Sequence, residues 1–143
     1  MVSTNQADTL IQAEADTVLG YPSIVHFNGD DALILYDGTD TIDVIGVPGV
    51  DPGSSWTVGT GSTANHTLVR KSSVTGGSTN WTTGATEWDV YAQNTWTYIG
   101  SHTSNCVSVV VPTGCSELYF SEYAEGSSNH KYIEIYNPTA NAV

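Results

Sequence analysis

Bases are nearly missing from this chain. Three cations, Arg70, Lys71 and Lys131, stand against 15 acids, which leaves a formal net charge of −12. A nucleic-acid binder must displace the counterions held by phosphates, and three cations cannot build a basic groove. Binding of nucleic acid through this chain alone is therefore not expected. Long apolar runs are missing as well, and no stretch approaches the ~18 residues of a membrane span. Cysteine is limited to Cys106 and Cys115, and the four histidines (His26, His66, His102, His130) are scattered, so a closely spaced zinc ligand set is not expected. No Gly-x-Ser-x-Gly elbow and no Gly-rich phosphate loop before a helix occur, which leaves an enzyme reading without a nucleophile or phosphate motif. Carboxylates are plentiful, but no spacing singles out an acid/base pair. Met1 is followed by Val-Ser-Thr-Asn, which has neither the basic nor the apolar region of a signal peptide.

What remains is enough for one domain and one core: 143 residues, 39% of them apolar. The acidic surface suits solubility or attraction of divalent cations, with a solvated face as the plainer reading. Cys106 and Cys115 read best as a disulfide closing the loop of residues 107–114. Such a bridge stabilises by about 2–3 kcal/mol through loop closure in the unfolded chain. Two free thiols are the rival, and nothing in so acidic a setting would activate them. A disulfide places the chain in an oxidising compartment, so an extracellular or cell-surface location is expected, with the chain a mature or excised piece. Asn65-His66-Thr67 and Asn80-Trp81-Thr82 match glycosylation sequons, a pattern short enough to arise by chance.

Along the chain, only residues 6–15 have helical spacing, with Ala7, Leu10, Ile11 and Ala15 on one side and Asn5 or Thr4 able to cap the start. The rest reads as strands with turn punctuation. Residues 32–36 and 41–47 flank Asp37-Gly38, a strong hairpin signal. Val47-Pro48-Gly49 and Asp51-Pro52-Gly53 form a turn-rich loop. Residues 67–71 follow as a short strand, 72–84 as a Ser/Thr/Gly-rich surface loop, then 88–91 and 96–99 as short extended segments. After a composition shift at Ser104 come the apolar run 107–111 and the strands 118–123 and 132–136. The expected core is Leu33, Leu35, Ile42, Val44, Trp88, Leu118, Phe120, Ile133 and Ile135. In the period-two strand around Glu134, Tyr132 and Tyr136 share the glutamate's face, and a partly buried, hydrogen-bonded acid is expected there. Arg70 and Lys71 are its natural partners.

Two constellations are candidates for chemistry. Asn28-Gly29-Asp30-Asp31 offers oxygens from Asn28, Asp30 and Asp31 that could ligate calcium beside Asp51 or Glu122. It lacks the regular alternation of a calcium loop, and a turn held by Asx side chains is the plainer reading. The four tryptophans lie between residues 56 and 96, and Trp56 and Trp81 could stack on carbohydrate, although such rings more often cap a small core.

The segment Glu117-Leu-Tyr-Phe-Ser-Glu-Tyr-Ala-Glu-Gly-Ser-Ser-Asn-His-Lys-Tyr-Ile-Glu-Ile-Tyr-Asn-Pro138 resembles the opening of a bacterial lamin-tail domain. Phe27-Asn-Gly-Asp-Asp-Ala-Leu-Ile-Leu-Tyr36, Ile42-Asp-Val-Ile-Gly46, Asp51-Pro-Gly53, Leu68-Val-Arg-Lys71, Glu87-Trp88 and Gly100-Ser-His102 resemble its later part. The resemblance implies an all-β fold, an immunoglobulin-like β-sandwich, to which the helical spacing of residues 6–15 adds one short helix near the N-terminus. It also implies a module of secreted nucleases, phosphatases and surface proteins. The order is either permuted or cut across two tandem repeats: residues 1–104 correspond to the later part of the sandwich and 105–116 to a disulfide-closed linker. Residues 117–143 correspond to the opening strands, docked on the first part within the chain or on a neighbour. The expected function is a non-catalytic structural or interaction module able to assemble by strand complementation. Its expected partners are another copy of itself or neighbouring domains of the parent protein. The alternative is a calcium-dependent or carbohydrate-binding accessory module of an extracellular hydrolase or nuclease.

Overall fold

The structure, a computed structural model, describes residues 1–106 and 117–139. Ten strands and two short helices occupy them: β1 (Val2–Thr4), α1 (Thr9–Glu14), β2 (Thr17–Leu19), β3 (Leu33–Tyr36), β4 (Thr41–Ile45), β5 (Thr57–Val58), β6 (Gly61–Ser62), β7 (His66–Arg70), α2 (Trp81–Gly84), β8 (Trp88–Ala92), β9 (Tyr119–Glu125) and β10 (Lys131–Tyr136). The all-β character holds. A six-stranded sheet runs in the order β2-β1-β10-β9-β7-β8, and β3–β4 and β5–β6 form two separate two-stranded sheets. All pairings in the large sheet are antiparallel except β1 with β2.

The strands nearest the C-terminus sit in the middle of this sheet. β9 pairs with β7 (Leu68 opposite Tyr123), and β10 pairs with β1 (Val2 opposite Ile133). Residues far apart in sequence therefore close one sheet within one chain.

Alternation along these strands divides the residues between two faces. Leu68, Trp88, Phe120, Tyr123 and Ile133 face a core completed by Val44 and Ile45 of the hairpin, Val58, Trp81, and Val25 and Phe27 of the preceding loop. Phe27 stacks on Tyr123 with ring centroids 4.7 Å apart. On the opposite face Ala124 and Tyr132 meet Ala7 and Ile11, with Met1, Trp96 and Ile99 packed around them.

Several expectations are corrected in detail. The helix spans only Thr9–Glu14, because the Asp8 carboxylate takes the Leu10 N–H at 2.9 Å and Ala15 is already extended. Its cap is Asp8, not Asn5 or Thr4. Residues 96–99 are turns, not a strand, and cover the second face. Residues 72–84 are not a plain surface loop. Trp81 is buried in the core, and Gly77 lies so close to β4 that a Cβ there would stand 2.2 Å from the Ile42 carbonyl oxygen. Leu33, Leu35 and Ile135 are only partly buried, whereas Ile42, Val44, Trp88, Phe120 and Ile133 are core. β4 is covered on both sides, so Asp43 and Ile45 are buried along with Ile42 and Val44. The apolar run 107–111 lies outside the described residues.

Truncating Ile133 to Ala should cost about 2–5 kcal/mol, from lost transfer energy and the cavity left behind. Ile34→Ala, at a half-exposed position, should change stability by less than ~0.5 kcal/mol. Urea denaturation of both variants measures the contrast, and equal losses would contradict this assignment of faces.

Candidate functional site

Three groups of polar side chains stand out. The first is internal. Arg70, on β7, is 1% exposed and donates from Nη2 to Asp43 Oδ2 at 2.6 Å, and Asp43 is itself fully buried. The same carboxylate accepts the Phe120 N–H (2.9 Å), the Ser78 N–H (2.9 Å) and its neighbour Val44's N–H (3.0 Å). The guanidinium lies over the Trp88 ring, 4.4 Å from its centroid, and Glu87 Oε2 stands 3.6 Å from Nη1. Burial pushes the Glu87 carboxyl above its usual range, against the opposing pull of Arg70.

The second group lies between β9 and β10, where Glu122 and Glu134 are directly opposite. Side chains opposite each other in an antiparallel pair share a face. Glu122 is 1% exposed, and its Oε1 accepts the Tyr132 hydroxyl at 2.6 Å while Oε2 has no protein donor. Burial raises its pKa to about 7; the Tyr132 hydrogen bond opposes the rise, and the charge of Glu134 adds to it. Glu134 accepts Ser121 Oγ–H (2.8 Å) and the Gly100 N–H (2.9 Å), so Arg70 and Lys71 are not its partners. Lys71 instead donates to the Thr86 carbonyl. Beside this group, His102 packs edge-on against Tyr119 and Tyr136, and burial lowers its pKa.

The third group is at the surface. Asp30, Asp31 and Asp51 line one open cleft of about 590 Å³ with Ile34, Pro48 and Val50. Asp31 reaches back to take the Asn28 N–H at 2.8 Å, which closes the turn on itself. Asn28 is turned toward a cation already in the chain: Lys131 Nζ donates to the Phe27 carbonyl (2.6 Å) and to Asn28 Oδ1 (3.3 Å), with Glu125 at 3.4 Å. The proposed calcium oxygens of Asn28, Asp30 and Asp31 are thus divided. Asn28 serves an internal ammonium while the two aspartates line the cleft. Among the described residues, no group of three or more His, Cys, Asp or Glu side chains could hold a metal ion.

Of the tryptophans proposed for carbohydrate, Trp81 belongs to the core and Trp56 packs against it. Trp81 is 8% exposed, and Trp56 is partly buried, its indole against Gly46, whose φ of +80° lets the backbone pass with no Cβ in the way. Trp81, its ring buried, has no free face for stacking on a sugar. Cys106 lies at the edge of the described residues and Cys115 outside them, so their bond is a proposal taken up below. Sequence reading missed the Asp43–Arg70 pair and offered Glu122 only as a calcium oxygen, whereas it is buried against Tyr132. The signal was an arginine, one of just three bases, at the end of an apolar strand.

No family model matches the chain, and neither does any curated protein or solved structure.

Glu122 gives a signed pH dependence. Its folded pKa lies above the unfolded value, so its contribution is fully present below the unfolded pKa and is lost as pH rises through about 7. The expected loss is on the order of 3 kcal/mol. Because His102 has the opposite slope, falling away on the acid side, the comparison is wild type against Glu122→Gln. Denaturation midpoints from pH 5 to pH 8.5 should decline in the wild type and flatten in the variant; parallel curves would contradict the assignment.

Proposed function

We propose that this chain is a non-catalytic structural or interaction module of a secreted or cell-surface bacterial protein, an immunoglobulin-like sandwich of the lamin-tail kind with permuted strand order. One observation carries the reading: its buried ionisable side chains join one element to another. Asp43 links the hairpin to β7 and β9, Lys131 links β10 to the loop at Phe27, and Glu122 and Glu134 link β9 to β10 and to residue 100. Groups committed in this way hold a shape and are not free to exchange protons with a substrate. The central position of β9 and β10 supports the permuted order, since the segment resembling a domain opening completes the sheet begun by residues 1–92. The outer edge of β3, which among the described residues pairs with β4 alone, supports an interaction role.

A hydrolase would need a carboxylate or histidine exposed beside a binding cavity. His102 and Glu134, at the cleft of about 360 Å³ next to Met1 and Tyr136, come nearest to that arrangement. The purified chain should show no turnover of ester, phosphoester or glycoside substrates. Turnover abolished by His102→Ala or Glu134→Gln would overturn the module reading. For the extracellular assignment, the intact mass without reductant should be lower by two hydrogens than with it, which reports the Cys106–Cys115 bond. Two alkylatable thiols in unreduced protein would contradict both bond and compartment.

A further inference from the structure

The outer edge of β3 combines three features. First, among the described residues its backbone is unpaired on one side. The Val44 N–H points to the Ser78 carbonyl, away from β3, so Ile34 and Val44 form a non-hydrogen-bonded pair. The N–H and C=O of Ile34 then point outward from the hairpin. Second, the side chains along this edge are apolar and exposed: Ile34 is 50%, Tyr36 59% and Val50 53% accessible. Third, the rim is acidic. Asp30, Asp31 and Asp51 line the cleft beside Ile34, and Asp37 and Asp40 occupy the hairpin turn.

Charge decides what this edge can take. The chain's three cations are engaged elsewhere: Arg70 with Asp43 and Glu87, Lys131 with Phe27, Asn28 and Glu125, and Lys71 with the Thr86 carbonyl. Among the described residues, none of them forms an ion pair with the five rim aspartates. A second copy docking through the same edge would bring the same five carboxylates and no base at the rim, so self-pairing here sets like charges together. A partner carrying its own cations meets no such penalty. An added strand supplies main-chain hydrogen bonds, and its alternate side chains supply specificity. The cleft has apolar walls at Ile34, Pro48 and Val50 for an aliphatic stem, with carboxylates beyond for its cationic tip.

We infer that the β3 edge receives an extended, lysine- or arginine-bearing protein segment, added as a strand beside Leu33–Tyr36 with a cationic side chain in the cleft of Asp30, Asp31 and Asp51. This rests on the interaction-module reading and gives it a surface and a partner chemistry. The test is an NMR titration of the full isotope-labelled chain with acetyl-Lys-Val-Lys-Thr-Lys-Val-Lys-amide, and with the same peptide carrying Glu for Lys. Amides of residues 33–36 and 49–51 should shift with the lysine peptide, and the glutamate peptide should bind at least tenfold more weakly. The triple change Asp30→Asn, Asp31→Asn, Asp51→Asn keeps the side-chain oxygens that hold the turns and should weaken the lysine peptide at least tenfold. Ile34→Pro, which removes an outward N–H, should do the same in a variant whose spectrum remains folded. Shifts centred elsewhere on the acidic surface, undiminished binding by the triple variant, or no binding at all would overturn the assignment of this edge. Those outcomes leave the module reading standing, whereas it falls on turnover. Light scattering covers the remaining occupant: a dimer that Ile34→Pro abolishes would give the edge to a second copy instead.

Discussion

The Asp43 carboxylate is the point at which separate parts of the fold meet. Its four hydrogen-bond donors come from β4 itself, from Arg70 on β7, from the start of β9 and from the loop at Ser78. The small hairpin sheet shares no ladder with the large sheet, so packing and this one acid register them against each other. Burying an ion pair brings desolvation costs that offset much of its attraction. Four donors on one carboxylate and an indole against the guanidinium make the burial tolerable here. The return is geometric: an apolar contact would let the hairpin slide, whereas directional bonds to three other segments fix its position.

That fixed position governs the surface. With Asp43 and Leu35 turned inward, alternation turns Ile34 and Tyr36 outward, and the same register leaves the β3 edge unpaired. The polar interior also accounts for the charge distribution. The chain's scarce cations are drawn into buried or local contacts, and the remaining acids dominate the exterior. A surface of this kind repels its own copies and favours cationic partners at long range, an effect that salt screens.

The sequence was most legible where local chemistry and periodicity agreed. Asp37-Gly38 between two apolar runs marked the hairpin, and the alternation around Glu134 placed Ile133 in the core and the glutamate on the opposite face. β1 and β2 were not legible, because three-residue strands carry too little pattern to stand apart from loops. Residues 72–84 misled for a different reason. Small polar residues read as solvent-facing, yet Gly77 is what allows that segment to lie against β4. Asp43 was hidden by its own strand, since an acid in an alternating run reads as the wet face. Only the unlikely placement of Arg70 beside Leu68 and Val69 signalled that a buried acid had to exist. Of the surface candidates, the clustering of Asp30, Asp31 and Asp51 was foreshadowed by their turn-rich surroundings. The diversion of Asn28 to Lys131, from a residue 103 positions away, required the tertiary fold.

The central claim is that Asp43 and Arg70 act as one unit that joins the hairpin to the sheet. A double-mutant cycle on Asp43→Ala and Arg70→Met, followed by chemical denaturation, measures it directly. Each single change leaves a buried charge or buried donors without partners and is expected to cost about 3–5 kcal/mol. The double variant is expected to lose well under the sum, because neither group is left to face the vacancy of the other. Additive losses, or single losses below about 1 kcal/mol, would contradict the claim that this pair sets the fold.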